Sequence, residues 1–211
     1  MTKARKNAQP RYFKPVFAAL LAALIVLLTF TVGSLRIGPI TITLNCLPVA
    51  VGAVLLGPVY GAILGLVFGL TSFFASFTSA SLTTVLLNLN PFFTFLMCVV
   101  PRVICGWVPG LLYKALPKNN EPKRLASSAL SCALVTVLNT IGFLGLMWVF
   151  FANAFVSEPT VIDKVGQQPT GNIFVFIFAL ATVNAVFEVL INLILGTAVC
   201  RALFAVTKNK L

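Results

Sequence analysis

Of 211 residues, 59% are apolar and only 9% are charged, with 15 Lys or Arg, 4 Asp or Glu and no histidine. A soluble domain carries about 25% charged residues, so this composition excludes a soluble enzyme, a nucleic-acid-binding domain and a disordered tail. The missing histidine excludes a Ser-His-Asp triad and an H-E-x-x-H zinc site. At about 20 residues per transmembrane helix, the apolar content provides for roughly six spans of a lipid bilayer.

Lys3, Arg5, Lys6, Arg11 and Lys14 precede an apolar run over residues 16–32. The run lacks a clear A-x-A cleavage site, so it reads as a retained first span, not a signal peptide. Gly33, Ser34, Arg36, Gly38 and Pro39 then break the pattern. Residues 40–74 are almost continuously apolar. As one helix they would be about 50 Å long, too long for a hydrocarbon core of about 30 Å. Gly57-Pro58 is therefore a turn, which divides the run into a second span near 44–56 and a third near 59–77.

Residues 76–90 are rich in Ser, Thr and Asn, Asn88 and Asn90 among them, and read as a loop with a short helical piece. Pro91 suits the first turn of a fourth span, which reaches about residue 116. A polar, basic gap follows over 117–124. The fifth span covers about 125–151, a second polar loop covers 152–172, and the sixth span covers about 173–206. The expected fold is an all-α integral membrane protein: one six-helix domain over 16–206, a basic N-terminus over 1–15 and a short tail over 207–211.

The net charge of +11 is distributed as caps on apolar segments. With both termini cytoplasmic, the inner segments hold twelve basic residues and the outer ones hold two, Arg36 and Lys164. That is a strong positive-inside bias and speaks for a membrane, not for nucleic acid. Trp107 and Trp148 fall near span ends, where interfacial aromatics belong. The cysteines Cys46, Cys98, Cys105, Cys132 and Cys200 all lie in apolar stretches without C-x-x-C spacing, so they read as small buried hydrophobes. Nothing calls for a metal or a cofactor.

Gly57, Gly61, Gly65 and Gly69 recur every four residues and form a stripe for close helix packing within the bundle. Ala18/Ala22 and Ala19/Ala23 form two small-xxx-small pairs on the first span, open to two readings, internal packing and docking of a partner subunit. Two charges lie inside spans at matched depth, Arg102 and Glu188. Intramembrane charges face the interior and find partners. An Arg102–Glu188 ion pair is one reading, and contact with a ligand is the other. Asn184, Glu188 and Asn192 share one face of the sixth span, and Thr136, Asn139 and Thr140 lie past the midpoint of the fifth. Asn139 and Asn184, with the loop residues Asn88 and Asn90, fit a small-molecule pocket open to the outside; Asn192 is deeper and reads as structural. There is no Walker A motif, so the chain does not hydrolyse ATP by that route, and no catalytic constellation marks it as an enzyme.

Five segments in order carry a resemblance: AALLAALIVLLT, LPVAVGAVLLGPVYGAILGLVFG, VPRVICGWVPGLLYKAL, LNTIGFLGLMWVF and NAVFEVLINLILGTAV. Together they cover about residues 15–205, and the chain resembles the substrate-binding S component of energy-coupling factor (ECF) vitamin transporters. The resemblance implies a multi-pass protein of the bacterial plasma membrane that binds one water-soluble vitamin in its outer half. It also implies two kinds of partner, a transmembrane T subunit and two cytoplasmic ATPase subunits. The T subunit would dock on Ala18, Ala19, Ala22 and Ala23, and the segments 33–44 and 78–90 would act as lids. Pro-Arg at 101–102, Asn-Thr at 139–140 and Asn-x-x-x-Glu at 184–188 look most like pantothenate-type members, with riboflavin and folate as alternatives. The competing class is a structural or assembly membrane protein without a substrate.

Overall fold

The computed structural model describes residues 12–31, 35–37, 40–42, 44–78, 82–152 and 182–206. The 152–172 loop beyond Ala152, the start expected for the sixth span at 173, the basic residues at 3–11 and Lys208 and Lys210 lie outside the described residues.

Among the described residues, seven helices and one hairpin follow in chain order: α1 (Phe13–Thr31), β1 (Leu35–Ile37), β2 (Ile40–Ile42), α2 (Cys46–Leu56), α3 (Pro58–Ala75), α4 (Leu82–Leu89), α5 (Pro91–Ala115), α6 (Glu121–Phe151) and α7 (Thr182–Val206). The strands pair antiparallel, with Leu35 opposite Ile42, Arg36 opposite Thr41 and Ile37 opposite Ile40. The expected break at 33–39 thus contains half of a hairpin that the sequence reading did not anticipate.

Among the described residues five helices, α1, α3, α5, α6 and α7, are long and apolar enough to cross a membrane. The helix at the second expected span, α2, is shorter than a span. Its 11 residues measure about 16 Å, roughly half of a hydrocarbon core. A helix that is apolar all round belongs in the interior, and all of α2 except Leu47 is buried. The expected turn is present: Gly57 has φ 99°, a conformation that favours glycine, and Pro58 opens α3.

Most of the glycine stripe serves the α3–α5 contact. A Cβ on Gly61 would strike the carbonyl oxygen of Gly106, and one on Gly65 would strike that of Arg102. A Cβ on Gly69 would come within 2.8 Å of Val99 Cα. Gly106 meets Gly61 in return, and Gly110 faces Pro58, so the two helices pack antiparallel with backbone against backbone. Gly57 is the exception, with open space around it and a role in the turn.

The apolar interior falls into two clusters. One surrounds α2 and includes Ile25, Leu64, Phe68, Cys105 and Val135. The other lies under α4 and includes Leu86, Met97, Cys98, Leu144 and Met147.

Candidate functional site

Between the two clusters the sequence changes character. On α5, Arg102 lies between Cys98 and Cys105; on α6, Asn139 lies between Val135 and Leu144. The layer that separates the clusters is therefore polar, and Arg102 is its centre.

Arg102 is buried near the midpoint of α5. Its neighbour Pro101 has no N–H, so the carbonyl of Met97, four residues back, loses its helical donor. The Arg102 guanidinium supplies one in its place, with Nη1 donating to Met97 O at 2.9 Å. The guanidinium carbon lies 4.3 Å from the ring centroid of Phe143 and 5.5 Å from that of Phe68. Such cation–π contacts contribute about 2 kcal/mol each when desolvated. Nε is buried and has no hydrogen-bond partner.

Arg102 and Glu188 act on each other electrostatically, without a direct ion pair between them. Among the described residues the ion pair formed is Arg124–Glu121, at 3.5 Å, and none joins Arg102 to Glu188. The arginine turns back along its own helix and lies against two phenylalanines, so matched depth does not become contact. Glu188 is buried and makes interactions of its own. Both charges lie within electrostatic reach of Cys46, the first residue of α2.

α6 and α7 run antiparallel. Arg124 stacks over Phe204 at 4.7 Å, and Cys132 Sγ lies 2.9 Å from where a Cβ on Gly196 would be. Carried along both helices, this register sets Thr136 opposite Asn192 and Thr140 opposite Glu188, with Asn139 one residue away from Thr140. Thr136 Oγ1, Asn139 Oδ1 and both amide atoms of Asn192 are buried without hydrogen-bond partners. Each such orphan costs about 1–3 kcal/mol, so this seam carries unspent hydrogen-bonding capacity.

The remaining nominees divide. Asn90 is the N-cap of α5, and its Oδ1 accepts from the backbone N–H of Phe92 at 3.1 Å and of Phe93 at 3.3 Å. Asn88 is exposed on α4. Asn184 belongs to the first turn of α7, with its side chain outside the described residues. On α1, Ala18 is buried and Ala22 packs partly against the core, whereas Ala19 and Ala23 are exposed. The two alanine pairs thus occupy different faces.

One polar tie was absent from the sequence reading. Asn45 Nδ2 donates to Thr29 Oγ1 at 3.1 Å, and Thr29 Oγ1 lies 3.4 Å from Thr71 Oγ1. These three residues join α1, the entry to α2 and α3. Neither Thr29 nor Thr71 stands out in sequence, because each is a threonine in an apolar helix whose hydroxyl also bonds back to its own helix.

The chain is 27% identical over 207 residues to the pantothenic acid transporter PanT of Lactococcus lactis subsp. cremoris, covering 92% of this chain and 94% of that protein. It is 24% identical over 162 residues to the pantothenate transporter PanT of Leuconostoc mesenteroides, covering 76% of this chain and 74% of that protein. The family model described as ECF transporter, substrate-specific component, matches residues 14–199. With five helices fit to cross a bilayer, the chain is a multi-pass bacterial membrane protein and belongs to the ECF transporter substrate-specific component family.

Proposed function

We propose that this protein captures pantothenate at the outer face of the membrane and presents it for ATP-driven uptake by a transmembrane T subunit and two cytoplasmic ATPase subunits. Arg102 carries the reading. It is a buried cation at mid-membrane, with a free Nε and no ion-pair partner among the described residues. A ligand with one carboxylate suits such a group. Pantothenate has that carboxylate, together with an amide and hydroxyls that Asn139 and Asn184 would meet. Glu188 stands at the same level to accept a hydroxyl proton. The names of both relatives support pantothenate over riboflavin and folate.

Isothermal titration of the purified chain with the three vitamins tests the proposal. Pantothenate binding at one site per chain is expected. Binding of riboflavin or folate alone would overturn the choice of vitamin, and binding of none would return the chain to the structural class.

Topology and docking belong to the same reading. Both termini are cytoplasmic, as the basic residues indicate. A cysteine placed at Ser157 should react with a membrane-impermeant thiol reagent in intact cells. The native cysteines, all buried, contribute little background. Labelling of a C-terminal cysteine instead would reverse the orientation. Ala19 and Ala23 form the surface for the T subunit, since they are small, exposed and flanked by exposed Val16, Leu20 and Leu27. Ala23→Trp should stop uptake and complex assembly while vitamin binding by the isolated chain persists; loss of binding would place this face inside the fold.

A further inference from the structure

Where α6 begins and α7 ends, the two helices leave space between them. Ala129 on α6 and Ala198, Ala202 and Ala205 on α7 are too small to fill it, and a groove of about 610 Å³ results. This lies within the range of about 300–1,000 Å³ usual for small-molecule sites. Leu193 and Ile194 also line it, and Ile194 is 62% exposed, so the groove opens sideways toward hydrocarbon.

The groove does not end in an apolar wall. Leu125, Arg201 and Ala205 also line a second, more polar chamber of about 310 Å³, completed by Glu121, Arg124 and Phe204. Arg124 is held there by Glu121 at 3.5 Å and by the Phe204 ring at 4.7 Å. Arg201 is exposed and has no hydrogen-bond or ion-pair partner among the described residues. The chamber lies at the first turn of α6, next to the basic gap that marks the membrane–water interface on that side.

An apolar slot open to lipid that runs into a basic chamber at headgroup depth matches one chemistry, an anionic head on an apolar chain. We propose that this groove binds an anionic phospholipid, with an acyl chain between α6 and α7 and the phosphate on Arg201, beside Arg124. A water-soluble vitamin does not fit, because the slot has apolar walls and faces the bilayer.

Native mass spectrometry of the full chain in detergent, titrated with phosphatidylglycerol and with phosphatidylcholine of the same acyl chains, tests the site. The wild-type chain should retain phosphatidylglycerol in preference. Arg201→Gln should reduce that preference about fivefold, the effect of one basic residue at about 1 kcal/mol, and leave phosphatidylcholine binding unchanged. Lys118→Gln, which removes an equal charge outside the groove, should leave the preference intact. Ala202→Phe should fill the slot and lower retention of both lipids. Equal retention of the two lipids by the wild-type chain would overturn the proposal, as would equal effects of Arg201→Gln and Lys118→Gln. If Ala202→Phe does not fold, the comparison of the two charge variants decides alone.

Discussion

Two seams of this bundle solve the same packing problem in opposite ways. Along α3–α5, glycines bring backbone against backbone, and the contact leaves no room for a methyl group. Along α6–α7, the facing residues include Thr136, Asn139 and Asn192, whose polar atoms are buried without partners. The first seam is complete as it stands. The second holds hydrogen-bonding groups that nothing in the described structure uses. Under the proposed function, the closed seam would give rigidity and the unsatisfied one affinity.

The sharpest way to break this contrast is to fill the closed seam. Gly106→Val would drive its side chain into the backbone of Gly61 and Ala62. The expected loss is at least about 3 kcal/mol, the upper end of the usual cost of overpacking, and size-exclusion profiles of detergent-solubilised protein should show little folded chain. Gly145, with nothing within 4 Å of where its Cβ would lie, is the control. Gly145→Ala should fold normally and gain up to about 1 kcal/mol from helix propensity.

Next in size is Arg102→Met. Removal of the guanidinium should cost roughly 2–3 kcal/mol of pantothenate affinity, the worth of a hydrogen bond to a charged group, as read by titration calorimetry. The loss should persist in a Glu188→Gln background. If the double variant instead regained wild-type affinity, the two charges would be coupled to each other and not to the ligand. Asn139→Ala should cost less, about 1 kcal/mol of affinity, with little change in melting temperature. Asn192 should separate the two roles of the open seam. Because neither of its amide atoms has a partner, Asn192→Leu should raise the stability of the ligand-free chain by about 1 kcal/mol; a lower melting temperature would show that the amide holds α6 to α7.

The sequence made the closed seam readable and the open one only partly so. Gly57-Pro58 announced a turn because no single helix could fit the bilayer, and glycines at a spacing of four announced a close approach, which Gly61, Gly65 and Gly69 make. Both are local signals with a geometric cause. Arg102 and Glu188 were readable as matched depths, but depth along a helix says nothing of the direction in which a side chain turns. Pro101 decides that direction, because it leaves the Met97 carbonyl without a donor and the nearest long cation supplies one. Asn90 illustrates the same limit: an asparagine ahead of Pro91 reads equally as a ligand contact or as a cap, and the backbone of Phe92 and Phe93 claims it. The bounds 44–56 already make α2 short, but apolar composition measures burial without saying whether it is in lipid or in protein.

That short helix has an electrical consequence. Since α2 is about 16 Å long and starts at Cys46 near Arg102 and Glu188, the floor of the polar layer stands near the middle of the bilayer. An anion that settles there from one side has traversed about half of the transmembrane field. A full crossing is worth about 2.3 kcal/mol per charge per 100 mV, so occupancy by a monoanion shifts by about 1 kcal/mol per 100 mV, and the resting potential becomes part of the affinity.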